Sequence, residues 1–242
     1  MDTTEREPEK LGLFLSLGSA TAAEVAGVCG LDWVLIDLEH GCEGEKALPD
    51  QLRALRGTGT MPIVRSGGED HAQMARALDW GARGVMVPHV NDADKALRCA
   101  RAISYPPAGS RGVSRTVPAC AFGLRSTGES PRPLLLAQIE TAEAVGRAAE
   151  IAAVDGVDVL FVGPADLSYD LEARRSPLGY TECLEKVAAA AREAGKQCGI
   201  LLRGGAGLEE VRRLGYTWLA MDSDLSLIRD GIRRNLTALG RS

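Results

Sequence analysis

Short apolar runs in this 242-residue sequence repeatedly end on side chains that could do chemistry. Trp33, Val34, Leu35 and Ile36 lead into Asp37, Leu38, Glu39, His40 and Gly41. Further on, Met61-Pro62-Ile63-Val64 ends on Arg65, and Leu134 to Ala137 runs into Gln138, Ile139 and Glu140. A last run through Gly163 and Pro164 reaches Asp166. Charge at the end of a buried run is costly unless it is paired or bound to a metal. Glu39 and His40 also read as the first solvated residues of a loop. Each type suits a definite task. Carboxylates hold a hard cation or share a proton. Arginine keeps its proton and offers a planar fork for a carboxylate or a developing enolate oxygen. Histidine is the candidate base with an ordinary pKa near neutrality. No lysine ends a strand-like run, so a Schiff-base mechanism has no evident nucleophile.

These groups must be positioned by the elements between them. Strand-like runs are expected over 11–17, from Trp33, over 61–65, 84–88, 134–140, 157–163, 197–202 and 217–221. Helices are expected between them. Ser19 caps one that runs to about Cys29, and others span 46–56, 69–80 and 142–153. Further helical spacing joins Ala93, Ala96, Leu97, Ala100 and Ile103, then Leu184, Val187, Ala188 and Ala191. Gly204 to Gly207 opens a short helix with Leu208, Val211 and Leu214. Leu225, Ile228, Ile232, Leu236 and Leu239 mark the last helix. Residues 1–10 read as a polar lead-in. Eight alternating units without a linker predict an α/β fold, a single-domain (β/α)8 TIM barrel over 1–242. A doubly wound open sheet is the alternative, but Gly18-Ser19-Ala20 supplies no glycine-rich fingerprint.

In a barrel the site lies at the carboxyl ends of the strands, where Asp37, His40, Arg65, Gln138, Glu140 and Asp166 converge. Glu140 and Asp166 follow consecutive parallel strands, whose axes lie about 4.8 Å apart. Two carboxylates so placed repel unless a cation or a proton lies between them. All-oxygen ligands in small number suit Mg²⁺ or a similar divalent ion. His71 falls early in a helix, and His89, after Pro88, is a second-rank candidate. The segment 105–133 is long and irregular, as functional loops often are. Arg111, Gly112 and Arg115 in it would suit a loop folded over an acidic ligand.

Composition narrows the alternatives. The chain is 45% hydrophobic and 4% aromatic, so the core is expected to consist mainly of Ala, Leu and Val. A net charge of −5 gives no basic footprint for nucleic acid. No apolar run is long enough for a membrane span. Six cysteines without CxxC spacing read as reduced thiols in a cytoplasmic protein. Cys42, two residues after His40, is the only thiol near the site.

The motifs IDLEHG (36–41), PIVR (62–65), ALDWGARGVMVPHV (77–90), YPPAGSRGV (105–113), QIET (138–141) and DVLFVGPADLS (158–168) resemble the HpcH/HpaI family of metal-dependent, class II pyruvate aldolases. The resemblance implies a carbon–carbon lyase, cleaving a 4-hydroxy-2-oxo acid reversibly to pyruvate and an aldehyde through a metal-bound pyruvate enolate. It implies that Glu140 and Asp166 bind Mg²⁺, Mn²⁺ or Co²⁺ and that Arg65 steadies the enolate. His40, oriented by Asp37, would move protons, while Gln138 and the backbone around Ala165 would line the pyruvate site. Asp79 matches a position that reaches a neighbouring subunit's site. The family's hexamers, trimers of dimers with the last helix exchanged, imply the same assembly here. Some relatives perform citrate-synthase-like or CoA-ester chemistry instead, and a non-catalytic barrel binding a 2-oxo acid would not need His40. Two stretches depart from the family pattern: Ser66-Gly67-Gly68-Glu69-Asp70 after Arg65, and the glycine-rich Arg203 to Gly207. The second reads either as a loop favouring a carboxylated or phosphorylated acceptor through backbone N–H groups at a helix start, or as a plain turn.

Overall fold

Side chains alternate across a strand, so each barrel strand sends one parity inward and the other against the helices. In the computed structural model, which describes residues 8–129 and 131–241, eight parallel strands close in sequence order into one barrel. They are β1 (Lys10–Leu15), β2 (Trp33–Asp37), β3 (Met61–Arg65), β4 (Gly84–Val87), β5 (Leu134–Ile139), β6 (Val159–Val162), β7 (Gln197–Leu202) and β8 (Trp218–Ser223). Helices α1 (Ala20–Val28), α2 (Leu48–Ala54), α3 (His71–Trp80) and α4 (Ala93–Ile103) alternate with the first four strands and lead to β5. After β5 come α5 (Ala142–Gly146) and α6 (Ala148–Ala152), and after β6 come α7 (Pro164–Ala173) and α8 (Tyr180–Glu193). The chain closes with α9 (Leu208–Leu214) and α10 (Asp224–Ala238). Of the polar lead-in, residues 1–7 lie outside the described residues, and Lys10 already belongs to β1.

The two parities make two cores. Val34, Ile36, Val64, Val85, Leu135, Ala137, Leu160 and Val162 face outward and pack with the helices in a layer rich in Ala, Leu and Val. Inside the barrel the composition differs from that expectation: Phe14, Trp33, Phe161 and Trp218 fill it, with ring centroids 5.4–6.5 Å apart. Two of the three Trp and two of the three Phe lie there, because large rings fill a closed barrel with few side chains. Glycine makes room for them. A Cβ on Gly12 would overlap the Trp33 ring, and one on Gly199 would lie 2.9 Å from Trp218 Cβ.

Three helical expectations change. The 46–56 segment is a short 3₁₀ turn at Glu45–Ala47 followed by α2, and 142–153 is broken into α5 and α6 at Arg147 (φ −111°, ψ 12°). Helix α7 has no counterpart in the apolar periodicity of the chain. Only Leu167 and Leu171 of its residues are buried, too thin a stripe to register as a period. Leu97, expected on the inner face of α4, is 43% exposed. The final helix keeps its stripe, but Leu227, Ile228, Ile232 and Leu239 remain exposed rather than packed on this chain.

Candidate active site

Continuing the inward parity of each strand to its carboxyl end builds the mouth. After Trp33 and Leu35 comes Asp37; after Ile63, Arg65; after Leu136, Gln138; after Trp218 and Ala220, Asp222. These four side chains, with Ser16, His40, Ala165, Asp166 and Arg203, line a cavity of about 240 Å³. The glycine after His40 shapes its edge, since a Cβ on Gly41 would overlap the Asp37 carbonyl oxygen.

The register places Asp37 beside Arg65 on adjoining strands. Arg65 is buried and grips Asp37 with both arms, Nε to Oδ1 at 2.9 Å and Nη2 to Oδ2 at 2.7 Å. Its remaining nitrogen, Nη1, lies 3.0 Å from Glu39 Oε2. Burial pushes the Asp37 carboxyl up, but the guanidinium outweighs this and holds it below its ordinary value. Burial likewise pushes Arg65 down, and Asp37 and Glu39 more than restore it. Asp37 Oδ1 also accepts the backbone N–H groups of Glu39 (3.1 Å) and His40 (3.3 Å). The expected orienting of the His40 ring by Asp37 is therefore corrected. The carboxylate is taken up by Arg65 and by main chain, while the His40 ring is 67% exposed, 3.9 Å from Glu39 Oε2.

Glu140 is buried. Its Oε1 accepts the His89 backbone N–H at 2.7 Å and lies 3.1 Å from His89 Nδ1, and its Oε2 accepts from Gln138 Nε2. The approach depends on an unusual turn. His89 has φ 52°, and Lys95 Nζ donates to the Pro88 and His89 carbonyls, both at 3.0 Å. Burial pushes the Glu140 carboxyl up, His89 counters it, and Asp166 and Glu39 push the same way as burial, leaving it raised. Gly163, which caps α7, lets the chain pass close by, and Asp166 sits exposed in the first turn of that helix beside Ala165.

These residues fit a divalent cation. Glu140 and Asp166 supply hard oxygen donors. Among the described residues no Lys or Arg lies within ion-pair distance of Glu140, and Gln138 Oε1 is buried without a partner. No cluster of three or more His, Cys, Asp or Glu that could hold a metal occurs among the described residues, so two carboxylates are what the protein offers.

Other expected residues lie elsewhere. Asp79, near the end of α3, pairs with Arg111 Nη2 at 2.6 Å and does not line this chain's mouth. Arg111 is correspondingly corrected: it is buried, stacked 4.6 Å over Tyr105, and committed to Asp79 rather than folded over the cavity, while Arg115 is exposed. Cys42 is an exposed free thiol outside the lining residues. Asp222 and Ser16 were missed, although extending the inward parity of β8 and β1 finds both. The contact of His89 with Glu140 depends on a positive φ that no sequence pattern shows.

A closed eight-stranded barrel with a permanent cation braced by two carboxylates at its mouth, and a buried acid raised by a second one, is the architecture of a barrel enzyme. The HpcH/HpaI aldolase/citrate lyase family model matches residues 10–231, and the chain belongs to that family. It is 35% identical over 228 residues to the 4-hydroxy-2-oxo-heptane-1,7-dioate aldolase of Salmonella arizonae, covering 92% of this chain and 87% of the relative. Among solved structures, an HpcH/HpaI aldolase/citrate lyase family protein from Burkholderia cenocepacia superposes with a TM-score of 0.89 at 34% identity, covering 96% and 95% of the two chains. The citrate synthase SbnG gives a TM-score of 0.83 at 26% identity, covering 96% and 94%. The chain is an aldolase, a carbon–carbon lyase.

Proposed function

We propose that the chain cleaves a 4-hydroxy-2-oxo acid reversibly to pyruvate and an aldehyde, with Mg²⁺, Mn²⁺ or Co²⁺ held by Glu140 and Asp166. The observation that carries this reading is a desolvated, fully braced Arg65 lining the mouth, with the buried carboxylate of Glu140 near enough to raise its pKa. When bound, the cation supplies Lewis-acid polarisation of the 2-oxo acid's oxygens. Arg65 puts fixed positive charge where the enolate oxygen develops, and Asp37 and Glu39 hold its fork in place so that no reorganisation is needed. His40, exposed at the mouth, takes the proton of the 4-hydroxyl as the C3–C4 bond breaks. The bond's electron pair remains in the enolate of pyruvate, and the same proton is returned to C3 through water. Gln138 lines the 2-oxo acid's place, and Ala165 offers backbone beside it. The similarity to a 4-hydroxy-2-oxo-heptane-1,7-dioate aldolase supports a 2-oxo acid substrate.

Wild type with Mg²⁺ should exchange the methyl protons of pyruvate with D₂O without any aldehyde. EDTA should stop the exchange, and borohydride should trap no adduct. His40→Ala should slow exchange by roughly 10²–10⁴, the usual worth of a positioned base, while still binding metal. A lysine–pyruvate adduct would overturn the metal–enolate reading.

Assembly belongs to the same proposal. The apolar residues that α10 leaves exposed are offered to a neighbouring subunit in a hexamer, with Asp79 contributing to the neighbour's mouth. A fully active monomer by light scattering would refute both.

A further inference from the structure

Arg203 follows β7, and in a closed barrel of eight strands β7 stands four strands from β3, directly across the mouth from Arg65. Both arginines line the same cavity. Their states differ. Arg65 is buried and has every nitrogen engaged, whereas Arg203 is exposed and its guanidinium has no hydrogen-bond or ion-pair partner among the described residues. The loop that carries it is nonetheless held. Asp222, itself at φ 66°, accepts the Gly204 N–H at 2.8 Å through Oδ2 and the Ser226 hydroxyl at 3.1 Å through Oδ1. Gly204, Gly205 and Gly207 all take positive φ, which lets the chain double back after Arg203.

Three of the loop's backbone donors are already engaged. The Gly204 N–H is spent on Asp222, the Ala206 N–H on the Arg203 carbonyl and the Leu208 N–H on the Gly205 carbonyl. The charged side chain that remains free is one planar fork lining a cavity that also holds Arg65, Gln138 and Asp166.

We infer that Arg203 is the residue that receives a terminal carboxylate on the aldehyde half of the substrate, holding a diacid between the two sides of the mouth. This rests on the aldolase reading above. A single guanidinium matches a single carboxylate through two parallel hydrogen bonds. A phosphate would bring a charge of about −1.5 to −2 into a rim that already carries Asp166 and Asp222, where Arg203 is the one unpaired Arg or Lys among the described lining residues.

The test compares aldol addition of pyruvate, with Mg²⁺, to three acceptors: succinic semialdehyde, the neutral butanal, and glyceraldehyde 3-phosphate. Wild type should favour the carboxylated aldehyde. Arg203→Gln should lower kcat/KM for it by about tenfold to a hundredfold, the usual effect of losing a charged hydrogen-bond pair, chiefly through KM. Butanal should be affected far less, so the preference collapses, and Arg203→Lys should retain part of it. Equal losses on both aldehydes, no loss on either, or a wild-type preference for the phosphorylated acceptor would each overturn the assignment. Pyruvate exchange by wild type separates the two levels. Exchange without carboxylate preference defeats only Arg203, and absence of exchange defeats the aldolase reading beneath it.

Discussion

On the β2, β3 and β5 side of the mouth, Asp37, Arg65, Gln138 and Glu140 are buried and bonded to one another or to main chain. On the β6, β7 and β8 side, Asp166 and Arg203 are exposed, and the loop after β7 is tied to the rim by the hydrogen bond that the Gly204 N–H donates to Asp222. The two halves solve different problems. Charge that develops during bond cleavage is best met by dipoles and ions already fixed in place, because reorganising them would add to the barrier. The part of the substrate that does not react needs only to be recognised, and an exposed arginine on a glycine-rich turn can do that without strain on the buried network. On the proposed reading, burial separates the chemistry from the selection.

The sharpest way to break this contrast is to remove the centre of the buried side. Arg65→Ala leaves Asp37 and Glu39 facing each other with no cation, and stripping one partner from a buried pair costs about 3–5 kcal/mol. Urea unfolding should show that loss, and pyruvate exchange should fall by about 10²–10³, the worth of a lost oxyanion donor. The pair also carries a pH signature. Asp37 is held below its ordinary 3.8 in the folded state, so its stabilisation is fully present above about that pH and is lost as pH falls through the folded value. The deficit of Asp37→Asn relative to wild type should accordingly shrink below pH 3.8. A deficit that stays constant from neutrality to pH 2.5 (about the lowest useful value for such a titration) would show that the Asp37 charge is not what holds Arg65.

Much of the buried side could be read from the chain itself. Alternation carries Trp33 and Leu35 to Asp37, and Ile63 to Arg65, so the residues that end those strands had to face the barrel axis. The bounds of β3 and β7 follow directly from their apolar runs. What alternation could not show is contact between groups brought together by turns. Glu39 was visible as a strand-end acid, but its place under Arg65 depends on the turn at Gly41. The backbone N–H that His89 gives Glu140 depends on a left-handed residue other than glycine. Arg111 looked suited to a ligand because its loop is irregular, and only the packing of that loop against α3 delivers it to Asp79. Helix α7 lay hidden behind Pro164, with a stripe of two leucines too sparse to announce it.

Two glycines turn the comparison into a single substitution made twice. Gly163, on the buried side, has φ −91° and ψ 97°, a backbone that alanine adopts freely. The space is what forbids it: a Cβ there would fall on Glu140 Oε2 and lie 2.8 Å from Gln138 Nε2. Gly163→Ala should therefore push Glu140 off its place. A misplacement of about 1 Å near reacting atoms can cost about 10²-fold, and exchange should drop by at least that much, with metal affinity falling alongside. Gly205, on the exposed side, is the reverse case. No atom lies within 4 Å of its would-be Cβ, but its φ is +72°. Gly205→Ala meets only the backbone penalty of the left-handed region, about 1–2 kcal/mol, and pyruvate exchange should stay within about twofold because, among the described residues, the loop makes no hydrogen bond or ion pair with Asp37, Arg65, Gln138 or Glu140. Exchange rates and urea unfolding of the two variants, measured side by side, decide the point. If Gly205→Ala slows exchange as severely as Gly163→Ala does, the two halves of the mouth are mechanically coupled, and the division between a fixed reacting side and a permissive selecting side fails.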